Sequence, residues 1–333
     1  MNDPSYESCS PESFDFGEHG VARGLTDVGR RRSQNQDQFL IAELRKSMQV
    51  QASSLRFESQ TNLFGDARGQ LWIVADGMGG HAAGQRASRV AMDQLIQQLL
   101  NTVHWFLQSD QVQSVDESEF VSSLQRILHV AHAQILSEAE SDQSQRGMGT
   151  TLTMAYVVWP RMYVVHVGDS RCYLVRDGVC EQLTTDHTLA HQLVEAGGLN
   201  PEDEAASRWS NVLWNVLGGS GEHELTAEVR RVDLMEGDTV LLCSDGLSRY
   251  LSATALADVI AEGTSELNAV CQRLVDLANE AGGEDNITVI VAKPDRVLLA
   301  TRPNRDDELD LRNLLTNPGV SPDDYSDAET LPG

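Results

Sequence analysis

Asp76, Asp169, Asp245 and Asp285 are the residues of this chain best suited to chemistry. They sit in the strings Val-Ala-Asp76-Gly77-Met78-Gly79-Gly80, Val-Gly-Asp169-Ser170-Arg171, Cys-Ser-Asp245-Gly246-Leu247 and Glu284-Asp285-Asn286-Ile287-Thr288. Three follow a short apolar run (71–75, 163–167 and 240–243), and the fourth precedes one (287–291). An aspartate at a strand end projects from a rigid element into a loop cleft. Several converging there repel one another unless a cation neutralises them, and oxygen-only ligands suit hard Mg²⁺ or Mn²⁺ rather than zinc. The pattern therefore predicts a metal centre built from carboxylates.

Other residues supply what such a centre would need. Arg32, in Gly29-Arg-Arg-Arg32-Ser-Gln-Asn35-Gln36-Asp37, could fork its guanidinium onto two phosphate oxygens beside a cation. Gly77 lets the backbone turn so that a main-chain carbonyl can approach a metal. The glycines after Asp76 are no P-loop, because Gly-Lys-Ser/Thr is missing. Each string alone reads equally well as a turn or cap. A rival chemistry lies in Cys243-Ser-Asp-Gly246-Leu-Ser-Arg249, which fits the C-x-x-G-x-x-R loop of cysteine-dependent phosphatases. That reading would put the Asp245 charge inside an anion cradle that needs amides, an arginine and a thiolate.

The elements that position these residues follow from periodicity. Strands are expected at about 21–28, 37–44, 71–75, 150–158, 162–167, 171–175, 226–233, 239–243 and 286–292. Ala87, Ala91, Leu95 and Leu99 recur every four residues in a helix over 82–103, and Phe120, Leu124, Ile127, Leu128, Ala131 and Ile135 mark another over 117–140. Two more fit 253–262 and 266–281, the latter stopped by Gly282-Gly283. Arg176-Asp177-Gly178 reads as a hairpin turn. Strands, two helices, strands, two helices and a strand suit antiparallel sheets with helices on their outer faces, an α+β architecture. Residues 45–69 read as a polar insertion, and 184–224 as an irregular excursion around a short helix from His187 to Ala196. Irregular stretches of that length are often functional.

Bulk composition narrows the function classes. The 333 residues are 41% hydrophobic and carry 25 basic against 50 acidic side chains, a net charge of −25. That excludes a general nucleic-acid binder, which relies on basic stripes. No apolar run approaches the ~20 residues that span a bilayer. The first residues show neither a basic start nor an apolar stretch, so no secretory signal is expected. Cys9, Cys172, Cys180, Cys243 and Cys271 are odd in number and form no CxxC pair, as in a cytoplasmic protein with reduced thiols. The expected organisation is an N-terminal tail (1–19), one domain (20–294) and an acidic C-terminal tail (295–333), in which 305–315 could form a transient helix.

In this order and at these separations, with Arg146-Gly-Met-Gly149-Thr150-Thr151 and Thr185-Asp186-His187 between them, the motifs become specific. From about Gly20 to Lys293 the chain resembles the metal-dependent protein serine/threonine phosphatases of the PP2C (PPM) family, in their bacterial form. The resemblance implies a four-layer α/β/β/α sandwich, two central antiparallel sheets flanked by helix pairs, with 184–224 as a flap beside a site at the sheet edge. It implies two Mn²⁺ or Mg²⁺ ions bridged by Asp76, one bound by the Gly77 carbonyl and the other completed by Asp245 and Asp285. Asp169 with Asp245 matches a third, weaker ion site. Arg32 matches the phosphate-binding arginine, and Asp37 acts through metal-bound water. The implied reaction is in-line attack of a metal-activated water on phosphoserine or phosphothreonine. The implied substrates are phosphoproteins made by Hanks-type kinases, and the enzyme is expected to be a monomer. Two positions depart from the animal members: Gln36 stands where they have a ligating glutamate, and Met78 where they have a histidine proposed as general acid, with His81 nearby. A catalytically inactive, PP2C-like interaction module is the alternative, although such proteins usually lose the carboxylates retained here.

Overall fold

The strand Leu71-Trp-Ile-Val-Ala75 is buried on both faces: Leu71, Ile73 and Ala75 enter one apolar layer, Trp72 and Val74 another. Strands buried on both faces read as continuous apolar runs rather than alternating ones, which is why these segments stood out in the sequence. The computed structural model describes residues 22–51, 62–102, 114–220, 224–263 and 266–294. Both expected tails, including 305–315, lie outside the described residues.

In chain order the elements are β1 (Ala22–Asp27), β2 (Asp37–Gln49), β3 (Asn62–Met78), α1 (His81–Thr102), α2 (Ser114–Ser141), β4 (Gly149–Thr150), β5 (Leu152–Val158), β6 (Arg161–Val167), β7 (Arg171–Arg176), β8 (Val179–Gln182), α3 (Leu189–Glu195), β9 (Leu217–Gly218), β10 (Glu228–Asp233), β11 (Thr239–Cys243), α4 (Asp245–Ser248), α5 (Ala253–Glu262), α6 (Leu267–Glu280) and β12 (Ile287–Ala292). One sheet runs β1-β12-β11-β7-β8, the other β10-β6-β5-β3-β4-β9 with β2 paired to β3. Both are antiparallel in every pair whose register is described.

Three apolar layers hold the sandwich. Between the sheets lie Trp72, Val74, Val164, Leu174, Leu242 and Ile290. Outside one sheet, Leu95 and Leu99 of α1 and Phe120, Leu124 and Leu128 of α2 pack on Leu71, Ile73 and Tyr163. Outside the other, Leu256 and Ile260 of α5 and Leu274 and Val275 of α6 pack on Leu241, Val289 and Val291. This is the expected α/β/β/α order. The helical stripes Ala87–Leu99 and Phe120–Ile135 are buried as their spacing required. The hairpin between β7 and β8 turns at Asp177 and Gly178 with φ of 51° and 77°, the pair of left-handed residues that a two-residue type I′ loop demands.

Two local differences stand out. Within the expected insertion 45–69, β2 continues to Gln49 and β3 begins at Asn62. Backbone pairing needs no apolar side chains, so Arg45-Lys-Ser-Met-Gln49 offered no alternation to read. Residues 52–61 lie outside the described residues. The chain divides into two compact units, 1–44 with 69–296, and 45–68 with 297–333. Of the second, only the outer ends of β2 and β3 are described. No described helix is long and apolar enough to cross a membrane.

Leu242 is fully buried in the layer between the sheets. Leu242→Ala is expected to lower unfolding free energy by about 2–5 kcal/mol in urea titrations, through lost transfer energy and a residual cavity. A loss below about 1 kcal/mol would show that this layer does not depend on close packing.

Candidate metal centre

The loops at one edge of the sheets gather the predicted residues. A cleft of about 350 Å³ is lined by Arg32, Asp76, Asp169, Asp245, Arg249 and Asp285, among others. Asp76 is not at a strand end, as its sequence suggested. It lies inside β3, which runs on through Gly77 and Met78 by pairing with Thr150 and Gly149 of β4. Asp169 follows β6 in the Gly168–Ser170 turn, Asp245 opens the single-turn α4 after β11, and Asp285 precedes β12. Asp37 is the first residue of β2, almost fully buried, and is not among the residues lining the cleft.

Glycines permit two close approaches. A Cβ at Gly77 would collide with the Gly84 carbonyl oxygen in the first turn of α1. A Cβ at Gly246 would collide with the Asn286 carbonyl oxygen, so α4 could not close on the Asp285 loop. The second approach is what brings Asp245 and Asp285 to the same cleft.

Residues named only as motif neighbours hold the aspartates in place. Thr150 Oγ1 donates to the Asp76 carbonyl (2.8 Å), the Thr151 amide donates to the same oxygen (2.9 Å), and the Asp76 amide donates to Thr151 Oγ1 (3.1 Å). The Thr150-Thr151 pair thus pins the backbone of Asp76. Ser244 Oγ and Thr288 Oγ1 both donate to Asp37 Oδ2, at 2.8 and 2.7 Å. Arg171 grips Asp186 through Nε and Nη2 (2.9 and 2.6 Å), and the His187 and Gly168 main chains and ring are bonded to each other. The Asp169 turn is thereby fixed to the start of the 184–224 excursion, which also lends Asn211 and Leu213 to the cleft lining.

Asn286, beside Asp285, is a clamp. Its Oδ1 accepts from the Gln36 amide (2.9 Å), and its Nδ2 donates to the carbonyls of Val28 and Gln34 (both 3.0 Å). With the Arg30 and Arg31 amides donating to the Gly283 carbonyl (2.7 and 3.2 Å), this holds the arginine loop against the start of β12. Arg32, half-exposed, then reaches Asp285 at 2.7 Å. Gln36 Nε2 donates to the Gly80 carbonyl (2.9 Å), so the amide bonds to the glycine loop. Met78 is exposed at the cleft, and the side chain of His81 lies outside the described part of the structure.

The electrostatics are those of an under-neutralised anion cluster. Burial, with repulsion from Asp37, Asp245, Asp169 and Asp285, drives the Asp76 carboxyl well above the usual carboxylate range. Burial drives Asp169 well above it too, helped by Asp245 and Asp186. Asp37 is pushed up to about 7 by burial, partly offset by its two hydroxyl donors, and Asp245 is raised by burial and by Asp285 against the pull of Arg249. Asp37 Oδ1 and Asp245 Oδ1 are buried with no hydrogen-bond partner. Orphaned buried carboxylate oxygens are costly and rare in native proteins. Hard, oxygen-only and short of partners, this donor set fits a divalent cation.

A second group, His166, His187 and Glu228, offers ligand atoms within 4.8 Å of one another. Three of its four ring nitrogens are already engaged: His187 Nδ1 accepts from the Gly168 amide, and His166 sits between Thr153 Oγ1 and the carbonyls of Gly168 and Thr185. These histidines pin the loop. Among the described residues, the carboxylate oxygens of the cleft do not gather in threes as closely as this group does; Asp285 and Asp245 are each paired with an arginine, Arg32 and Arg249. Cys243 is fully buried in the α5/α6 layer, where burial pushes its thiol up to about 12. That environment removes the thiolate on which the cysteine-loop alternative depended.

Each of these acids with a raised pKa binds its proton more tightly in the folded chain than in the unfolded one. The folded state therefore keeps protons that the unfolded state has released, and stability falls as pH rises from the ordinary 3.8 towards about 7. Metal-free protein is expected to become more resistant to urea on acidification through this window. Added Mn²⁺ at neutral pH should restore the lost stability, and a metal-free profile that rises with pH would contradict the charge cluster.

The comparisons with known proteins agree with this architecture. A family model described as protein phosphatase 2C matches residues 60–279. The serine/threonine phosphatase stp of Listeria monocytogenes is 35% identical over 223 residues, 67% of this chain and 84% of that protein. The S. agalactiae serine/threonine phosphatase structure superposes with a TM-score of 0.64 at 32% identity, covering 82% of this chain and 99% of its own. The catalytic domain of the serine/threonine protein phosphatase PstP, in complex with two manganese ions, superposes with a TM-score of 0.60 at 30% identity, covering 82% and 96%. The chain belongs to the protein phosphatase 2C family of metal-dependent serine/threonine phosphatases.

Proposed function

We propose that this cleft dephosphorylates phosphoserine and phosphothreonine in proteins at a two-ion Mn²⁺ or Mg²⁺ centre. The observation that carries the reading is the buried carboxylate set with two orphaned oxygens, Asp37 Oδ1 and Asp245 Oδ1, beside a half-exposed arginine. Asp76 would lie between the ions, with the Gly77 carbonyl on one and Asp245 and Asp285 on the other. Asp169 also lines the cleft, and Asp37 would act from behind. The manganese in the PstP relative supports this choice of ion.

When bound, divalent cations supply Lewis acidity towards phosphoryl oxygens and lower the pKa of a water enough to make it a nucleophile at neutral pH. The chain's own residues supply position and charge. Arg32 uses one nitrogen on Asp285, and its planar fork suits two equatorial phosphoryl oxygens as charge develops on them. Asp285 orients that fork. Thr150 and Thr151 fix the backbone from which Asp76 projects. Met78, at the position of the animal histidine, carries no proton, so the released serine or threonine takes its proton from water. The retained aspartates and the phosphatase names of the relatives favour an active enzyme over an inactive interaction module. Its substrates would be products of Hanks-type kinases, and the enzyme would be a cytoplasmic monomer with its catalytic domain over 20–294.

Asp76→Asn is expected to cut Mn²⁺-dependent hydrolysis of a phosphothreonine peptide by at least ~100-fold. EDTA should do the same to the unaltered protein, and substantial Mn²⁺-dependent turnover in the variant would refute the bridging role. Arg32→Ala should lower kcat/KM about 10- to 100-fold, as loss of a charged hydrogen bond of ~1.5–3 kcal/mol would. Manganese uptake should be unchanged in that variant; reduced uptake with unaltered kinetics at saturating metal would assign Arg32 to the ions instead.

A further inference from the structure

Arg249 belongs to the cleft, yet the reaction described above makes no use of it. It lies one helical turn beyond Asp245, with its amide bonded to the Asp245 carbonyl (3.0 Å) and its Nη2 in contact with Asp245 Oδ2. Its side chain is about one-third exposed, while that of Asp245 is nearly buried. The two oxygens of Asp245 are therefore unequal: Oδ2 is taken by the guanidinium, and Oδ1 has no partner.

Asp169 shares this corner of the cleft. Two cations offset its charge, Arg249 more than Arg171, and Arg171 is committed to Asp186 by paired hydrogen bonds. Arg249 is thus the principal cation for both aspartates. An ion placed between Asp169 and Asp245 would compete for Oδ2 and would meet a fixed positive charge.

We propose that the Arg249 guanidinium is the resident cation of the Asp169–Asp245 corner, standing where a third divalent ion would otherwise bind, so that this chain works with two. The inference rests on the two-ion reading above. Charge counting agrees with it. The aspartates that line the cleft, Asp76, Asp169, Asp245 and Asp285 but not the buried Asp37 behind them, supply four negative charges when ionised, which two divalent ions balance. Arg32 and Arg249 then leave two positive charges, a match for the roughly two negative charges of a phosphorylated side chain at neutral pH. A third ion would leave the cleft strongly cationic before substrate arrives.

The test is the number of Mn²⁺ ions bound per chain, measured by equilibrium dialysis and atomic absorption over rising free Mn²⁺. The unaltered protein and Arg249→Lys should saturate at two ions. Arg249→Asp, which removes the cation and adds a carboxylate, should take up three while keeping its circular-dichroism spectrum. Three ions on the unaltered protein would overturn the proposal whether or not the variants fold, and so would a folded Arg249→Asp that stops at two. No uptake by the unaltered protein would overturn the metal-centre reading itself, so the two failures are distinguishable.

Discussion

Burial of carboxylates that also repel one another is the constraint that organises this protein. Asp37, Asp76, Asp169 and Asp245 each bear a carboxyl whose ionised form the folded chain disfavours, and burial is the leading cause at all four. A chain free to relax would splay them. The sandwich prevents that by placing each on a strand, strand end or short turn anchored in an apolar layer, so packing energy elsewhere sustains an electrostatic conflict at the edge. Such stored conflict is what a cation-dependent site requires, because relief on metal binding becomes binding energy.

Much of the polar structure around the cleft is scaffolding for that conflict. Hydroxyls carry most of it: Ser244 and Thr288 on Asp37, Thr150 and Thr151 on the Asp76 backbone, and Ser170 on Thr151 at 2.7 Å. A hydroxyl can stabilise a carboxylate without cancelling its charge, which leaves the ligand available to a metal. The arginines behave differently. Arg171 and Arg176 are spent on Asp186 and Asp238 in paired hydrogen bonds and do not line the cleft, whereas Arg32 and Arg249 do.

The architecture was largely legible in the sequence because every layer is apolar and its periodicity differs by element. The stripes Ala87–Leu99 and Phe120–Ile135 read as helix faces, and the short apolar runs 71–75, 240–243 and 287–291 as buried strands. The aspartates that line the cleft were legible as a set, through their order, where single motifs were ambiguous. What escaped had no local signature. The continuation of β2 through Arg45–Gln49 and the two-residue β4 and β9 are defined by backbone partners far away in sequence. Asn286 and Thr288 looked like strand-start residues until their partners at Gln36 and Asp37 were in view, and Arg249 gained a role only when α4 placed it beside Asp169. Asp76 looked like the end of a strand because glycines follow it, yet Gly77 and Met78 pair with β4 and extend β3.

The Asn286 clamp has a consequence for how activity first arises. The groups it grips, around Gln36 and Val28, lie about 250 residues earlier in the chain. Synthesis proceeds from the N-terminus, and domains generally fold as units, so a growing polypeptide on the ribosome carries Arg32 long before Asn286 can hold its loop. The cleft is therefore completed only when β12 joins the five-stranded sheet and brings Asp285 and the Arg32 loop together.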